Sequence, residues 1–348
     1  MKIIISGGGT IGSVSPLIAI FEEIKRIKPD AEFLWLATKN GPEIELIKSY
    51  NIPIKEIYSG KLRRYFSFQN FIDPFRIFLG FIQSFFIIKK FKPQVILSAG
   101  GFVAVPVVWA GWFLRRPCLI HQQDIRPGLA NKLMANFASI ITVTFEKSLK
   151  DFNPKKTKLV GNPVRKDILN GSRQEATKIF NLDQNLPTVL VIGGGTGALN
   201  LNNLVINSLQ GLVSFCQVIH ITGGRGKTEA KHSRYHSFEF LTDKLKHAYA
   251  AADLVVSRAG LSSLTELAAL GKPSIIIPIP NSHQEENVIE FFKNQAIALL
   301  KEKNLNPDNF PQAIKEVLSD KVELENLSRN IKKVMPNNAV EKIIEMIL

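Results

Sequence analysis

A chain of 348 residues is too long for one compact core of ordinary size, and its length predicts two domains. Hydrophobic residues make up 45% of it and charged residues 21%, which is typical of a folded globular protein and excludes a largely disordered chain. The net charge of +14 lies mostly in residues 1–160, where 23 Lys and Arg accompany 11 Asp and Glu, and it favours an anionic lipid or substrate as partner, since no nucleic-acid-binding motif is present.

The cysteines and histidines indicate neither a disulfide framework nor a metal site. Cys118 and Cys216 lie in apolar segments, which favours reduced core residues in the cytoplasm. The first residues, MKIIIS, lead directly into a glycine loop and lack the features of a signal peptide. The six histidines form no HExxH arrangement and no DxD pair ends a strand, so we expect no metal and no cofactor.

Two glycine loops occur in the same local context. The β-branched run Met1–Ser6 leads into the first loop and then a helical pattern, and this order returns at 187–209. Backbone N–H groups in such a loop bind phosphate, although a tight turn also uses glycine for steric reasons alone. Because there are two loops, we favour a ligand at each. The candidate residues are Thr10, Ile11, Gly12, Gly195 and Thr196.

Strand-like and helical segments alternate through both halves, which predicts an α/β chain with two Rossmann-like domains facing across a cleft. A strand end followed by Gly161, Asn162 and Pro163 indicates the boundary. We therefore expect an N-terminal domain of residues 1–160 and a C-terminal domain of residues 161–335. Ligands of open α/β sheets bind at the carboxyl ends of the strands, so the chemistry should lie in that cleft.

The stretch Leu62–Phe91 holds nine of the 23 phenylalanines, with Lys and Arg beside them. Its uninterrupted apolar parts are shorter than the ~20 residues that span a bilayer, so we do not expect a transmembrane helix. Aromatic rings flanked by cations suit an anionic membrane surface, and a helix buried against the sheet is the alternative. The candidate membrane contacts are Arg63, Arg64, Phe71, Phe75, Phe78, Phe81 and Phe85.

The segment Ser257–Glu266 joins a strand to a helix through small and hydroxyl residues. The N–H groups at such a helix start can bind a diphosphate, with Arg258 as a cation and Glu266 one turn beyond Ser262 as an acceptor for ribose hydroxyls. The alternative is a helix cap followed by a solvated glutamate. The next strand end, at 281–287, is either a cap or a site for sugar hydroxyls.

Seven segments in order resemble the MurG family, which transfers N-acetylglucosamine (GlcNAc) from UDP-GlcNAc to lipid I, undecaprenyl-pyrophosphoryl-muramoyl-pentapeptide. They are GGGTIGSVSP, SAGGFVAVP, HQQDIRPGLANK, VGNPVR, GGGTGALNLN, SRAGLSSLTELAALGKP and HQEEN. The resemblance implies a GT-B fold, a UDP donor in the C-terminal domain, and an N-terminal domain on the cytoplasmic membrane surface that binds the acceptor. It also implies that a helix within 336–348 returns to the N-terminal domain.

The resemblance assigns roles to individual residues. The backbone of Leu241 meets the uracil, Glu266 holds the ribose, and Gln284 and Glu285 reach the sugar. The residues assigned to the diphosphate are Arg165, Gly195, Leu261, Ser262, Ser263, Leu264 and Thr265. The implied reaction is a single displacement that inverts the anomeric carbon without a metal, with Arg258 and the helix dipole stabilising the leaving group.

Two acceptor-side positions depart from the family pattern. The histidine of the family's first loop, GGTGGH, is Ser13 here, and the family's HEQN is His121-Gln122-Gln123-Asp124. A base must accept the proton of the acceptor hydroxyl, and the candidates are His121, Asp124 and Ser13. The altered loops leave open a transferase acting on another lipid such as diacylglycerol, a UDP-sugar-binding protein without turnover, and a UDP-sugar isomerase.

Overall fold

The computed structural model describes residues 1–9, 11–41, 43–60, 69–194, 198–224 and 230–348, without the side chains of Ile11, Gln69 and Asn70. Five candidates, Thr10, Arg63, Arg64, Gly195 and Thr196, lie outside these residues. The chain forms two compact units, Met1–Arg165 with Pro336–Leu348, and Lys166–Met335. This division falls five residues after the boundary expected from sequence.

The first unit is built on a seven-stranded parallel sheet with the order β3-β2-β1-β4-β5-β6-β7. Its strands are β1 Lys2–Ser6, β2 Glu32–Thr38, β3 Ile54–Ile57, β4 Val95–Ser98, β5 Cys118–Gln122, β6 Ile140–Val143 and β7 Thr157–Leu159. Its first five helices are α1 Ser15–Ile27, α2 Glu43–Ser49, α3 Gln69–Phe91, α4 Ala104–Phe113 and α5 Leu129–Ala135.

Both faces of this sheet are buried, as its continuous apolar strands require. In β1, Ile3 and Ile5 join a core cluster with α1, while Ile4 joins the cluster on the opposite face with α4. Because successive side chains of a strand point to opposite faces, one run of isoleucines fills both cores.

The second unit has a six-stranded parallel sheet with the order β10-β9-β8-β11-β12-β13. Its strands are β8 Thr188–Ile192, β9 Gln217–Ile221, β10 Tyr235–Phe238, β11 Leu254–Ser257, β12 Ser274–Ile276 and β13 Ala298–Leu299. Its helices are α6 Arg173–Phe180, α7 Leu199–Asn207, α8 Leu209–Val213, α9 Leu245–Ala251, α10 Leu261–Leu270, α11 His283–Lys293, α12 Asn309–Ser319 and α13 Lys321–Ile331. The prediction of an α/β chain with two parallel-sheet domains is confirmed.

The last helix, α14 Ala339–Ile347, belongs to the first unit. Its buried residues Val340, Ile343 and Ile344 join the core cluster that contains α1. The chain enters this helix beside Gly161, where φ is +88° and a Cβ atom would lie 2.2 Å from the carbonyl oxygen of Pro336. Any side chain at position 161 would therefore disturb the return of the chain.

Helix α3 corrects one premise of the sequence analysis. In the sequence, polar residues divide the aromatic stretch into shorter apolar parts, whereas Gln69–Phe91 forms one continuous helix that passes through Pro74. Its residues Phe71–Phe91 are long and apolar enough to cross a membrane by length and composition, with a mean hydropathy of 1.6. One face, with Ser84 and Ile88 fully buried, nevertheless packs on the domain.

The opposite face of α3 is open to solvent, so the alternative of a buried helix is wrong. Phe71, Phe75 and Phe78 are 68%, 73% and 61% exposed. Phe81 and Phe85 pack partly against the core. Three further aromatic residues that were not among the sequence-predicted contacts are also exposed: Phe86, Trp112 and Phe113.

Candidate functional site

The start of α10 is the candidate site for an anion in the second unit. Strand β11 ends at Ser257, and α10 begins after Gly260 without a side-chain cap. A Cβ atom on Gly260 would meet nothing within 4 Å, so the space there is open. The first backbone N–H groups of a helix have no partner within it and carry its positive dipole end. Leu261, Ser262 and Ser263 present these groups, and Leu264 and Thr265 continue the turn.

Glu266 lies one turn further along α10 and is held in place by a phenol. Its side chain is 8% exposed, and the hydroxyl of Tyr249 donates to its Oε2 across 2.9 Å. The alternative of a solvated glutamate is therefore wrong. A buried carboxylate beside an open helix start can accept hydroxyl groups from a ligand whose phosphates sit at that helix start.

Gln284 and Glu285 at the start of α11 hold the neighbouring loops together. Oε1 of Gln284 accepts from the backbone N–H of Ala259 and of Ile279, at 3.2 and 3.1 Å. These two hydrogen bonds use the side-chain oxygen of Gln284 and not its NH₂ group. Glu285 is exposed and accepts from Asn281 N–H, while Ser282 caps the helix, so the cap interpretation fits this turn.

Arg258 does not present a cation to the helix start. Its side chain is buried, donates to the carbonyl oxygen of Ile277 and forms an ion pair with Glu302 at 2.5 Å. A guanidinium whose charge is already paired in the interior has little left for a diphosphate. The predicted role of Arg258 in stabilising the leaving group does not fit this placement.

Two more candidates lie away from α10 in the chain. Leu241 is half-buried, three residues after β10, and follows the exposed Phe240. Arg165 is part of the first unit, where its Nη1 donates to the hydroxyl of Tyr50.

The first glycine loop is braced by a buried carboxylate. Glu43, at the start of α2, accepts from the backbone N–H of Gly9 at 3.1 Å and of Thr38 at 2.9 Å. Gly9 has φ +81°, and a Cβ atom there would lie 2.4 Å from the ring of Phe102. Gly12 and Ser13 follow in a 3-10 turn, where Ser13 Oγ donates to the carbonyl of Gly8. The amide of Gly9, predicted as part of a phosphate-binding loop, therefore already has an internal anion.

We expect Glu43→Ala to lower the free energy of unfolding by about 2–4 kcal/mol, because it leaves two sheltered N–H groups without their acceptor. Urea denaturation measures this change. Glu45→Ala is the matched control, since Glu45 lies on the same helix and is exposed. Equal stability of the two variants would show that the carboxylate of Glu43 does not brace the loop.

His121 lies at the end of β5 inside the first unit and is fully buried. Its ring nitrogens contact Thr142 Oγ1 at 3.0 Å and Asn162 Oδ1 at 2.8 Å. Burial lowers the pKa of His121 to about 4. A side chain with both nitrogens engaged in the core has no path to a substrate hydroxyl, which argues against His121 as the base.

Asp124 is the base candidate that stays partly exposed, whereas Ser13 and His121 are buried. Gln122 shapes its turn: the side-chain NH₂ donates to the carbonyl oxygens of Asp124 and Arg126, at 2.7 and 3.1 Å, and its Oε1 accepts from Asn131. A glutamate at this position, as in the family pattern, could not donate to those two carbonyls. The amide of Gln122 therefore holds the backbone of the turn that carries Asp124.

We expect the protein to lose stability as the pH falls below 6.5. Burial lowers the pKa of His121 and of His220 to about 4, so the unfolded chain binds protons between pH 6.5 and 4 that the folded chain does not. The loss at pH 5 is roughly 2 kcal/mol for each histidine. Urea midpoints at pH 7.5 and pH 5 measure it. His220→Gln should reduce this pH dependence, and an unchanged dependence would contradict the assignment.

Within the part of the chain that the structure describes, no group of three His, Cys, Asp or Glu side chains is placed to hold a metal ion. Cys118 and Cys216 are buried free thiols.

Comparisons with known proteins assign the chain to a protein family. Residues 3–143 match the glycosyltransferase family 28 N-terminal domain and residues 188–344 its C-terminal domain. A relative from Legionella pneumophila (strain Paris) is 37% identical, covering 99% of this chain and 96% of its own. One from Clostridium botulinum (strain Alaska E43 / Type E3) is 38% identical, covering 100% and 97%. Both are named UDP-N-acetylglucosamine–N-acetylmuramyl-(pentapeptide) pyrophosphoryl-undecaprenol N-acetylglucosamine transferase.

Solved structures agree with this at the level of the fold. Acinetobacter baumannii MurG superposes with a TM-score of 0.74 at 22% identity, covering 99% of this chain and 98% of that one. UDP-GlcNAc 2-epimerase from Neisseria meningitidis, solved with UDP-GlcNAc, gives 0.70 at 13% identity, covering 99% of each chain. The two parallel-sheet units and the matched relatives define the class, a GT-B hexosyltransferase. The chain belongs to glycosyltransferase family 28.

Proposed function

We propose that this protein transfers GlcNAc from UDP-GlcNAc to lipid I, which makes lipid II for peptidoglycan synthesis. The observation that carries the proposal is the open start of α10 with the buried carboxylate of Glu266 one turn beyond it. Relatives named for this transfer match the chain over nearly its whole length, which supports the same donor and acceptor.

In this proposal the donor is held by the second unit. The diphosphate lies at the start of α10, Glu266 accepts the ribose hydroxyls, and the NH₂ of Gln284 donates to the sugar. Leu241, Glu285, Arg165 and Gly195 are assigned to the donor from the family resemblance, and Thr196 from its place in the second glycine loop of the sequence. In the sequence, Gly195 and Thr196 lie between β8 and α7, as Gly260 lies between β11 and α10.

We propose a direct displacement that inverts the anomeric carbon and needs neither a metal nor a cofactor, since UDP-GlcNAc is a substrate. The support for this mechanism is the chemistry of two groups in the chain. The helix start supplies N–H donors for the charge that develops on UDP, and Asp124, whose side chain is partly exposed, is the proposed base. Thr10, Ile11 and Gly12 remain candidates for substrate binding.

The protein is proposed to act as a peripheral enzyme on the cytoplasmic face of the cell membrane. The exposed face of α3 gives an aromatic surface in the unit that carries most of the positive charge. Such a surface enters the boundary between headgroups and acyl chains, while Lys and Arg meet anionic lipids. Arg63 and Arg64 are assigned to that contact from sequence.

We expect Phe75→Ser combined with Phe78→Ser to weaken binding to phosphatidylglycerol vesicles at least tenfold, because each ring contributes about 2 kcal/mol when buried. Co-sedimentation measures the binding. Phe292→Ser is the control, since Phe292 is also more than half exposed but lies in the second unit. If the control weakens binding as much, α3 is not the membrane contact.

The transfer itself is tested with radiolabelled UDP-GlcNAc and either lipid I or diacylglycerol, each with and without EDTA. We expect label on lipid I in a β linkage, insensitive to EDTA. Label on diacylglycerol alone would establish the other lipid acceptor, and UDP binding without any labelled product would establish a binding protein. The likeness to the 2-epimerase is one of fold, and free UDP-N-acetylmannosamine in the assay would be the sign of an isomerase.

A further inference from the structure

The side chain of Glu266 accepts a hydrogen bond from a tyrosine of another helix. Tyr249 lies in α9 and is fully buried, and its hydroxyl donates to Oε2 of Glu266 across 2.9 Å. Leu245 and Ala248 of the same helix are also buried, so the ring is fixed by packing. The position of the phenol oxygen is therefore set by the fold of the second unit.

This contact determines how the carboxylate can meet a ligand. The terminal torsion of a glutamate is broad, so a carboxylate without a fixed partner samples many orientations. A hydrogen bond to a charged acceptor is strong and directional and selects one of them. With the hydroxyl of Tyr249 bound to Oε2, the plane of the carboxylate keeps a constant direction, as binding of two adjacent hydroxyl groups requires.

We propose that Tyr249 is a positioning residue that makes the donor site selective for ribonucleotides over 2′-deoxyribonucleotides. This rests on the proposed function, in which Glu266 accepts both ribose hydroxyls of UDP. A ligand that lacks the 2′-hydroxyl leaves one site of a buried carboxylate unsatisfied, and sites built to bind a hydroxyl reject such analogues. The selectivity depends on a fixed carboxylate, which a mobile one would not provide.

The experiment compares the Kd values of UDP and 2′-deoxy-UDP by calorimetry. Wild type is expected to prefer UDP, and Tyr249→Phe to reduce that preference about threefold to tenfold, chiefly by weakening UDP. Glu266→Gln is a second variant that should also reduce it, since an amide has one acceptor oxygen in place of two.

Tyr235→Phe is the matched control. Tyr235 is a second buried tyrosine of the same unit, and its hydroxyl contacts His220 Nδ1 at 2.8 Å. Loss of that hydroxyl should leave the preference unchanged. The inference is overturned if Tyr249→Phe keeps the wild-type preference, if Glu266→Gln keeps it, or if Tyr235→Phe reduces it equally. Failure of wild type to bind UDP would instead overturn the proposed function, and the inference with it.

Discussion

Replacing Asp124 by asparagine is expected to lower kcat for transfer to lipid I by about 10²–10⁴-fold. Asparagine has nearly the shape of aspartate but cannot accept the proton of the acceptor hydroxyl. Asp124 follows the carboxyl end of β5, the edge of a parallel sheet at which α/β proteins bind ligands. The structure leaves its side chain partly exposed, whereas it buries His121 and Ser13.

The measurement is steady-state transfer with saturating lipid I, together with the Kd of UDP. The Kd should stay within about twofold of wild type, since the proposed donor contacts of α10 are unchanged. Asp30→Asn serves as control, because Asp30 is an exposed aspartate of the same unit. A kcat of Asp124→Asn equal to that of wild type would place the base on another residue.

Replacing Glu266 by alanine is expected to raise the Kd of UDP on the order of 100-fold. Each hydrogen bond to a charged acceptor contributes about 1.5–3 kcal/mol, and the variant removes the acceptor of both ribose hydroxyls. It also leaves the buried hydroxyl of Tyr249 without the carboxylate to which it donates. A small loss of stability should therefore accompany the loss of affinity.

Titration calorimetry with UDP measures the first effect and thermal denaturation the second. Glu316→Gln is the control, since Glu316 is an exposed glutamate of the second unit on α12. Transfer activity should fall with the affinity. Wild-type affinity in Glu266→Ala would show that the ribose is held elsewhere.

Local sequence was enough to predict most of the fold. The runs around β1 and β8 combine β-branched residues with a following glycine turn, and both form the predicted strands. The start of α10 was predictable for the same reason, because Gly260 and the hydroxyl residues after it are local signals. Helix α3 was only half predictable: composition indicates its apolar character, but only packing determines which side is buried.

The partners of the site residues were not predictable, because the fold brings them from distant positions. Tyr249 lies 17 residues before Glu266. Asn162 reaches His121 from 41 residues away, and Glu43 reaches Gly9 from 34. No local pattern relates the members of these pairs. The ion pair of Arg258 with Glu302 also joins residues that are distant in the sequence. Because of it, the guanidinium that we predicted to bind the ligand has a structural role instead.

The place of α14 in the core of the first unit has a consequence for synthesis on the ribosome. The second unit is one continuous stretch, Lys166–Met335, whereas the first needs residues that are translated only after all of it. While the second unit is being made, the nascent first unit lacks Val340, Ile343 and Ile344, so the part of its core that they complete is uncovered. The nascent chain therefore exposes an apolar surface of the first unit until the last helix emerges from the ribosome.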